Sequence, residues 1–180
     1  MSESTLEIRN HDSNGVLVIA VEGLDGVGKS TSIRSLNEKI GGQVIRTPDS
    51  RLREVRDIFD SASMHTRNAF YNASNHLASD AIRNSNSNIF IIDRYVPSTF
   101  AAAHSHGLVT LDEIREKKES GELWEGLVVP NFIFYLRINE GERVKRITGR
   151  GECLNRDEHI LMNDVCFRNK YTNVLDLFAT

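Results

Sequence analysis

Apolar residues follow two rhythms along this chain. Residues 16–21 form an unbroken aliphatic and β-branched run, the pattern of a strand buried on both faces of a parallel sheet. A helix is expected over residues 29–40, closed by the Gly41-Gly42 pair, and residues 43–46 read as a short second strand stopped by Pro48. Val55, Ile58 and Phe59, and then Phe70, Ala73, Leu77 and Ala81, recur at helical spacing, which predicts helices over 51–59 and 66–83. The polar run Asn84 to Asn88 is a turn. Residues 89–92 and 132–138 supply a third and a fourth strand, and residues 142–149 and 157–178 further helices. Neither a repeat nor a low-complexity linker interrupts this alternation, so the expectation is an α/β fold: a central parallel sheet flanked by helices.

The junction between the first strand and the first helix carries the strongest chemical signal. Gly23-Leu24-Asp25-Gly26-Val27-Gly28-Lys29-Ser30 fits G-x-x-x-x-G-K-[ST], and Thr31 follows. Glycines at 23, 26 and 28 let the backbone turn its N–H groups inward around a phosphate at a helix N-terminus. The loop would cradle ATP, Lys29 would reach the β- and γ-phosphates, and the Ser30 hydroxyl would ligate Mg2+. Asp93, at the end of the third strand, is the candidate second holder of that ion through water. A glycine-rich turn without a ligand is the competing reading, and the strand before and helix after the loop speak against it.

Such a loop is shared by GTPase switches, ATPase motors and small-molecule kinases. A guanine-reading N-K-x-D segment is missing: the only Asn-Lys, Asn169-Lys170, is followed by Tyr171 and Thr172. A motor ATPase would usually carry more chain and an acidic pair where only Asp93 stands. With 180 residues and a formal charge of -3, the chain suits one soluble domain and no general nucleic-acid surface. The polar, partly acidic start lacks the pattern of a secretory signal, and no apolar stretch reaches membrane-spanning length. Two cysteines, Cys153 and Cys166, fit a reducing compartment. The expectation is a cytoplasmic protein with no membrane contact, comprising a flexible N-terminus over residues 1–14 and a domain over 15–180.

The ordered series of motifs resembles the thymidylate kinases and their close nucleoside monophosphate kinase relatives. Glu22 to Thr31 is similar to the family's EGxDGxGKST, Arg46-Thr47-Pro48 to its Arg-x-Pro after the second strand, and Asp93-Arg94-Tyr95 to its DRY after the third. The segment from Pro130 to Leu136 is similar to its PDL strand, and Arg146 to Glu152 to the entry of its arginine-bearing lid, placed at about residues 147–157. The resemblance covers nearly the whole chain and implies transfer of a phosphoryl group from ATP, with Mg2+, to a small nucleotide acceptor, dTMP foremost. Another phosphorylated or hydroxylated metabolite as acceptor, or a non-catalytic nucleotide-binding module, stays open as an alternative. A homodimer is inherited from the same resemblance.

Phosphoryl transfer needs two anions placed in line and the charge on the moving group neutralised. Arg94, at the carboxyl end of a central strand, would bridge the acceptor phosphate and the transferred group, and Arg46 would hold the acceptor's phosphate. Either arginine also reads as an ordinary surface salt-bridge partner. Asp25 is implied to face the acceptor or to organise magnesium. Arg150 and Arg156 are the lid's candidate catalytic arginines, since residues 24–27 contain no basic side chain, and Arg146 would lie along the adenine or ribose. Tyr71 stands where the family places an aromatic that stacks on the acceptor base, with Asn75 and Ser98 as further acceptor contacts. Where the family has an arginine after Ala-Asn or Ala-Asp, this chain has Asn75, a neutral amide. Arg67, two turns earlier and on another face, is not taken as its substitute. The chain stops at the helix after the lid, so the family's last strand and helix are expected to be absent and the sheet to hold four strands. His104 and His106 read as helix-end or loop residues, Trp124 as packing, and residues 112–119 as a solvated helix face.

Overall fold

The computed structural model describes residues 15–150 and 156–179. The segment 1–14, the middle of the lid and Cys153 lie outside the described residues. Four strands form one parallel sheet in the order β2-β3-β1-β4, with β1 at Leu17–Glu22, β2 at Gln43–Arg46, β3 at Ile89–Asp93 and β4 at Phe132–Tyr135. Every neighbour is parallel, so each connection must cross over, and helices supply the crossovers.

The unbroken apolar runs are explained by cover on both faces. Ile19, Val21 and Ile91 pack against Ile33 of helix α1 (Lys29–Ile40). Their alternates Val18, Ala20, Phe90 and Ile92 pack against Ala78 and Ile82 of α3 (Met64–Arg83) and Val96 of α4 (Val96–Ser105). A second layer, α5 (Leu111–Ser120), α7 (Arg156–Asn163) and α8 (Val165–Phe178), adds Ile114, Leu161, Val174 and Leu175 to a core that reaches Leu24 and Val27 of the glycine loop. No helix among the described residues is long and apolar enough to cross a membrane.

Three expectations are corrected. The helix expected over 51–59 is a 3-10 turn, Ser50–Leu52, capped by the Asp49 carboxylate on the Arg51 N–H, followed by a separate α2 at Arg56–Ser61. The apolar period starts only at Val55, and Phe59 anchors α2 by stacking on Phe70. The helix expected over 157–178 is divided at Asp164, whose carboxylate accepts the Phe167 N–H and caps α8 afresh. The strand expected over 132–138 ends at Tyr135, and α6 runs over Glu140–Thr148. Helix α4 is an addition to the sequence reading; its Val96-Pro97 start and small residues gave only a weak period. Among the described residues the sheet does have four strands. The charged run 112–119 does form a solvated helix, α5, with a capping box between Thr110 and Glu113. Trp124 packs between Tyr95 and Phe178, and His104, in the last turn of α4, bonds Val109 O.

Helix α6 braces the glycine loop. A Cβ on Gly26 would stand 2.7 Å from Ile147 Cγ1 and 2.9 Å from Arg143 O, and Gly26 has φ +87°, so only glycine fits there. Arg143 is 1% exposed. Its guanidinium donates to the Asp25 carbonyl at 3.1 Å, to the Leu161 carbonyl at 3.1 Å, and twice to Glu140 at 2.7 Å. One buried cation thus joins the loop, α6 and α7. Arg143→Ala takes this donor from the Asp25 carbonyl and leaves the Leu161 carbonyl with Arg168 alone, and the expected loss is about 1–3 kcal/mol in urea unfolding. An unchanged midpoint would mean that the loop stands without this brace.

Candidate active site

Two cavities open at the carboxyl ends of β1 and β3, where ligands bind in open α/β sheets. The smaller, about 190 Å³, is walled by Asp25, Gly26, Gly28, Lys29, Ser30, Thr31, Asp93, Arg94 and Arg150. The larger, about 300 Å³, lies among α2, α3, α4, α7 and α8. Asp25 and Arg94 belong to both walls.

In the smaller cavity, α1 begins at Lys29 with Gly28 as its N-cap, no side chain bonded to its free N–H groups and no acid in its first turn. Those donors and the positive end of the helix suit an anion. Lys29, 7% exposed, folds back to donate to the carbonyls of Gly23 and Leu24, both at 2.9 Å, and stands 3.6 Å from Asp25. Burial and the nearby Arg94 bring its ammonium down to about 8. A phosphate arriving there would push it back up. Val27 is buried in the core and belongs to neither cavity wall.

Arg94 donates from Nη2 to Asp25 at 2.6 Å and from Nη1 to Ser98 at 3.3 Å and Tyr171 at 3.4 Å. Burial works against the charge of Arg94, yet Asp25, Tyr171 and Glu22 together outweigh it and hold the guanidinium more firmly protonated than usual. For Asp25, burial raises the pKa, but Arg94 and Lys29 prevail and keep the carboxyl well below the ordinary range. Arg94 has a left-handed backbone, φ 66°, uncommon for a side-chain-bearing residue. Three neighbours impose it: Arg94 N–H donates to Val21 O, Thr47 Oγ1 donates to Arg94 O, and the next N–H, of Tyr95, donates to Glu22. Glu22 is fully buried and also accepts the Ser98 hydroxyl; burial pushes its carboxyl up.

The other candidates are placed as follows. Ser30 and Asp93 line the smaller cavity together. They offer one hydroxyl and one carboxylate, a donor set that fits an ion completed by phosphate and water oxygens, as Mg2+ prefers. Arg150 lines the same cavity, 3.7 Å from Glu158. Arg146 is exposed, paired with Glu142 at 2.9 Å, with Nη1 3.7 Å from where a Gly28 Cβ would sit. Arg156 starts α7, exposed and outside both cavity walls. Arg46 is exposed, 3.8 Å from Asp93 and also outside both, because β2 is the edge strand, two places from β1.

Tyr71 and Ser98 line the larger cavity; Asn75 does not. Asn75 is 1% exposed, and its Nδ2 donates to Thr99 Oγ1 at 3.0 Å. Arg67, not taken as a substitute for the family's arginine in the sequence reading, does line the cavity. Eight residues along a helix leave it about 80° from Asn75, but four residues put it on the same side as Tyr71, and that side faces the cavity. Sequence reasoning further missed Tyr171, Asp60 and Asp157. Tyr171 shares its helical period with Phe167, Val174 and Phe178 and reads as core; the signal lay in its hydroxyl, which needs a partner when buried. Burial drives that hydroxyl up to about 12.

A family model described as thymidylate kinase matches residues 21–180. The human protein UMP-CMP kinase 2, mitochondrial, is 33% identical over 156 residues, covering 85% of this chain and 35% of that protein. The thymidylate kinase of Mycoplasma mobile is 25% identical over 154 residues, covering 76% of this chain and 72% of that protein. The chain therefore spans little more than a third of the human relative's length. Among solved structures, the thymidylate kinase of Candida albicans shares the fold with a TM-score of 0.66 at 20% identity, covering 90% of this chain and 77% of that one. Sheet order, glycine loop and the match over residues 21–180 agree, and the chain belongs to the thymidylate kinase family.

Proposed function

We propose that this protein transfers the γ-phosphoryl group of ATP to a nucleoside monophosphate, with dTMP as the first acceptor to test. The observation that carries the reading is the shared wall: a polyphosphate-sized cavity and a nucleotide-sized one meet at Asp25 and Arg94. In this reading ATP occupies the smaller cavity, its phosphates on the N–H groups of the loop, and Lys29 exchanges the Gly23 and Leu24 carbonyls for phosphate oxygens. An oxygen of the acceptor phosphate attacks the γ-phosphorus, the bond to the β-phosphate oxygen breaks, and ADP departs. Arg94 spans both anions with its planar fork, and Asp25 keeps that fork oriented before the anions arrive. Ser30 and Asp93 would hold Mg2+, which supplies neutralisation of phosphate charge. Arg150, already on the wall, is the lid arginine best placed to approach the moving group.

A second reading keeps the chemistry and changes the acceptor to UMP or CMP. It rests on the 33% identity to the human UMP-CMP kinase 2 and on Asn75 being turned away from the acceptor cavity. The homodimer carried by the family resemblance belongs to the same proposal, and light scattering would report it as twice the mass of the chain.

The deciding experiment is magnesium-dependent ADP release with no acceptor, and then with dTMP, dUMP, UMP, CMP and dCMP in turn. Release that requires one of them is the expected result; equal release without any acceptor would make the protein a nucleotide hydrolase. Lys29→Ala should lower transfer by about a hundredfold or more while the thermal unfolding curve holds its shape. Near-normal activity in that variant would remove the loop from the mechanism. Arg94→Ala should cost about a hundred- to a thousandfold in kcat with the KM for ATP changed by less than about threefold. Equal losses in kcat and ATP affinity would reduce Arg94 to a binding residue.

A further inference from the structure

The far end of the larger cavity is built around a cation that the proposed mechanism does not use. Arg67 is 8% exposed, lines the cavity, and holds its guanidinium carbon 5.3 Å from the centre of the Tyr71 ring. Its Nε donates to Asp60 at 2.9 Å, Nη1 donates to Asp157 at 3.0 Å, and Nη2 donates to the other oxygen of the same carboxylate. Asp60 also accepts the Tyr71 hydroxyl at 3.0 Å and Arg56 Nε at 3.1 Å. One carboxylate therefore fixes the ring and the guanidinium against each other. A guanidinium carries five N–H groups, and three are committed here, so one on each Nη is left for a ligand.

We propose that Arg67 reads the base of the acceptor, from the turn before the aromatic, in place of the charged contact that the family takes from the turn after it and that Asn75 cannot make. This rests on the larger cavity being the acceptor site. The remaining N–H groups are donors, so the base they suit presents a carbonyl oxygen at its outer edge, as thymine and uracil do. Cytosine would bring an amino group there, donor against donor. Asp60 and Asp157 are positioning residues: they fix the guanidinium over the Tyr71 ring at the cavity wall, and a preorganised donor discriminates more sharply than a mobile one.

The test compares KM and kcat for dTMP, dUMP and dCMP in the wild-type protein and in Arg67→Ala, Arg67→Gln, Arg67→Lys and Asp157→Asn, each with its thermal unfolding curve. The wild type should prefer dTMP or dUMP to dCMP. Arg67→Ala or Arg67→Gln should raise the KM for the carbonyl-bearing acceptors about tenfold or more, with a smaller rise for dCMP and less than about threefold change in the KM for ATP, so that the preference flattens. Arg67→Lys should recover part of it, and Asp157→Asn should give an intermediate loss. Equal changes for all three acceptors, or a lowered unfolding temperature with every KM unchanged, would make Arg67 a brace between α3 and α7 and overturn the proposal. Transfer to no nucleoside monophosphate by the wild type would instead overturn the acceptor-site reading, and this inference with it.

Discussion

The 2.6 Å ion pair between Arg94 and Asp25 sets the terms for the whole site. It stands where the two cavities meet, and Lys29 lies 3.6 Å from the same carboxylate. Two cations therefore share one anion in a partly buried place. Without Asp25 the cations would repel across a low-dielectric gap; with it the pair is held together, and Asp93 and Glu22 also lie within electrostatic reach of Lys29. The carboxylate thus acts as a placeholder that keeps both cations aimed before any substrate arrives.

The pair depends in turn on a backbone that does not choose its conformation freely. Arg94 takes a left-handed φ, which costs of order 1 kcal/mol for such a residue and lasts only where its surroundings over-determine it. Glu22 is the strongest of those surroundings. Buried at the end of β1, it takes the Tyr95 N–H on one oxygen and the Ser98 hydroxyl on the other, pinning the start of α4 to the neighbouring strand. Arg94 is then the single residue between the end of β3 and the residue that opens α4, and its side chain is thrown over the glycine loop. The buried carboxylate gains hydrogen bonds for its desolvation, and the turn gains its shape.

Much of this was legible in the sequence because local rules governed it. Residues 23–30 announce their geometry through glycine spacing, and β1 and β3 announce double-sided burial through unbroken aliphatic runs. Arg94 and Asp25 were readable from their places in motifs. The wall of the larger cavity was not, because it is assembled from α2, α3, α4, α7 and α8, whose proximity no local pattern encodes. Arg67 and Asp157 are ninety residues apart, and nothing in either neighbourhood names the other. Arg143 was missed for a related reason: charged residues are usually exposed, and only packing reveals that this one is enclosed by three backbone and side-chain partners from separate elements.

Helix α7 connects the parts that local patterns left separate. Its first turn places Asp157 on Arg67 at the larger cavity and Glu158 3.7 Å from Arg150 at the smaller one. Its last turn passes the Leu161 carbonyl to Arg143 and Arg168, and Arg143 also grips the carbonyl of Asp25. A short helix is thereby tied to both cavities and to the loop between them. Side chains packed this closely do not stretch independently; a shift of α7 toward either cavity must alter contacts at the other. The break at Asp164 makes the arrangement possible: had the helix run straight on from α8, its first turn would be carried along the α8 axis instead of being set by its own contacts with α3 and the loop.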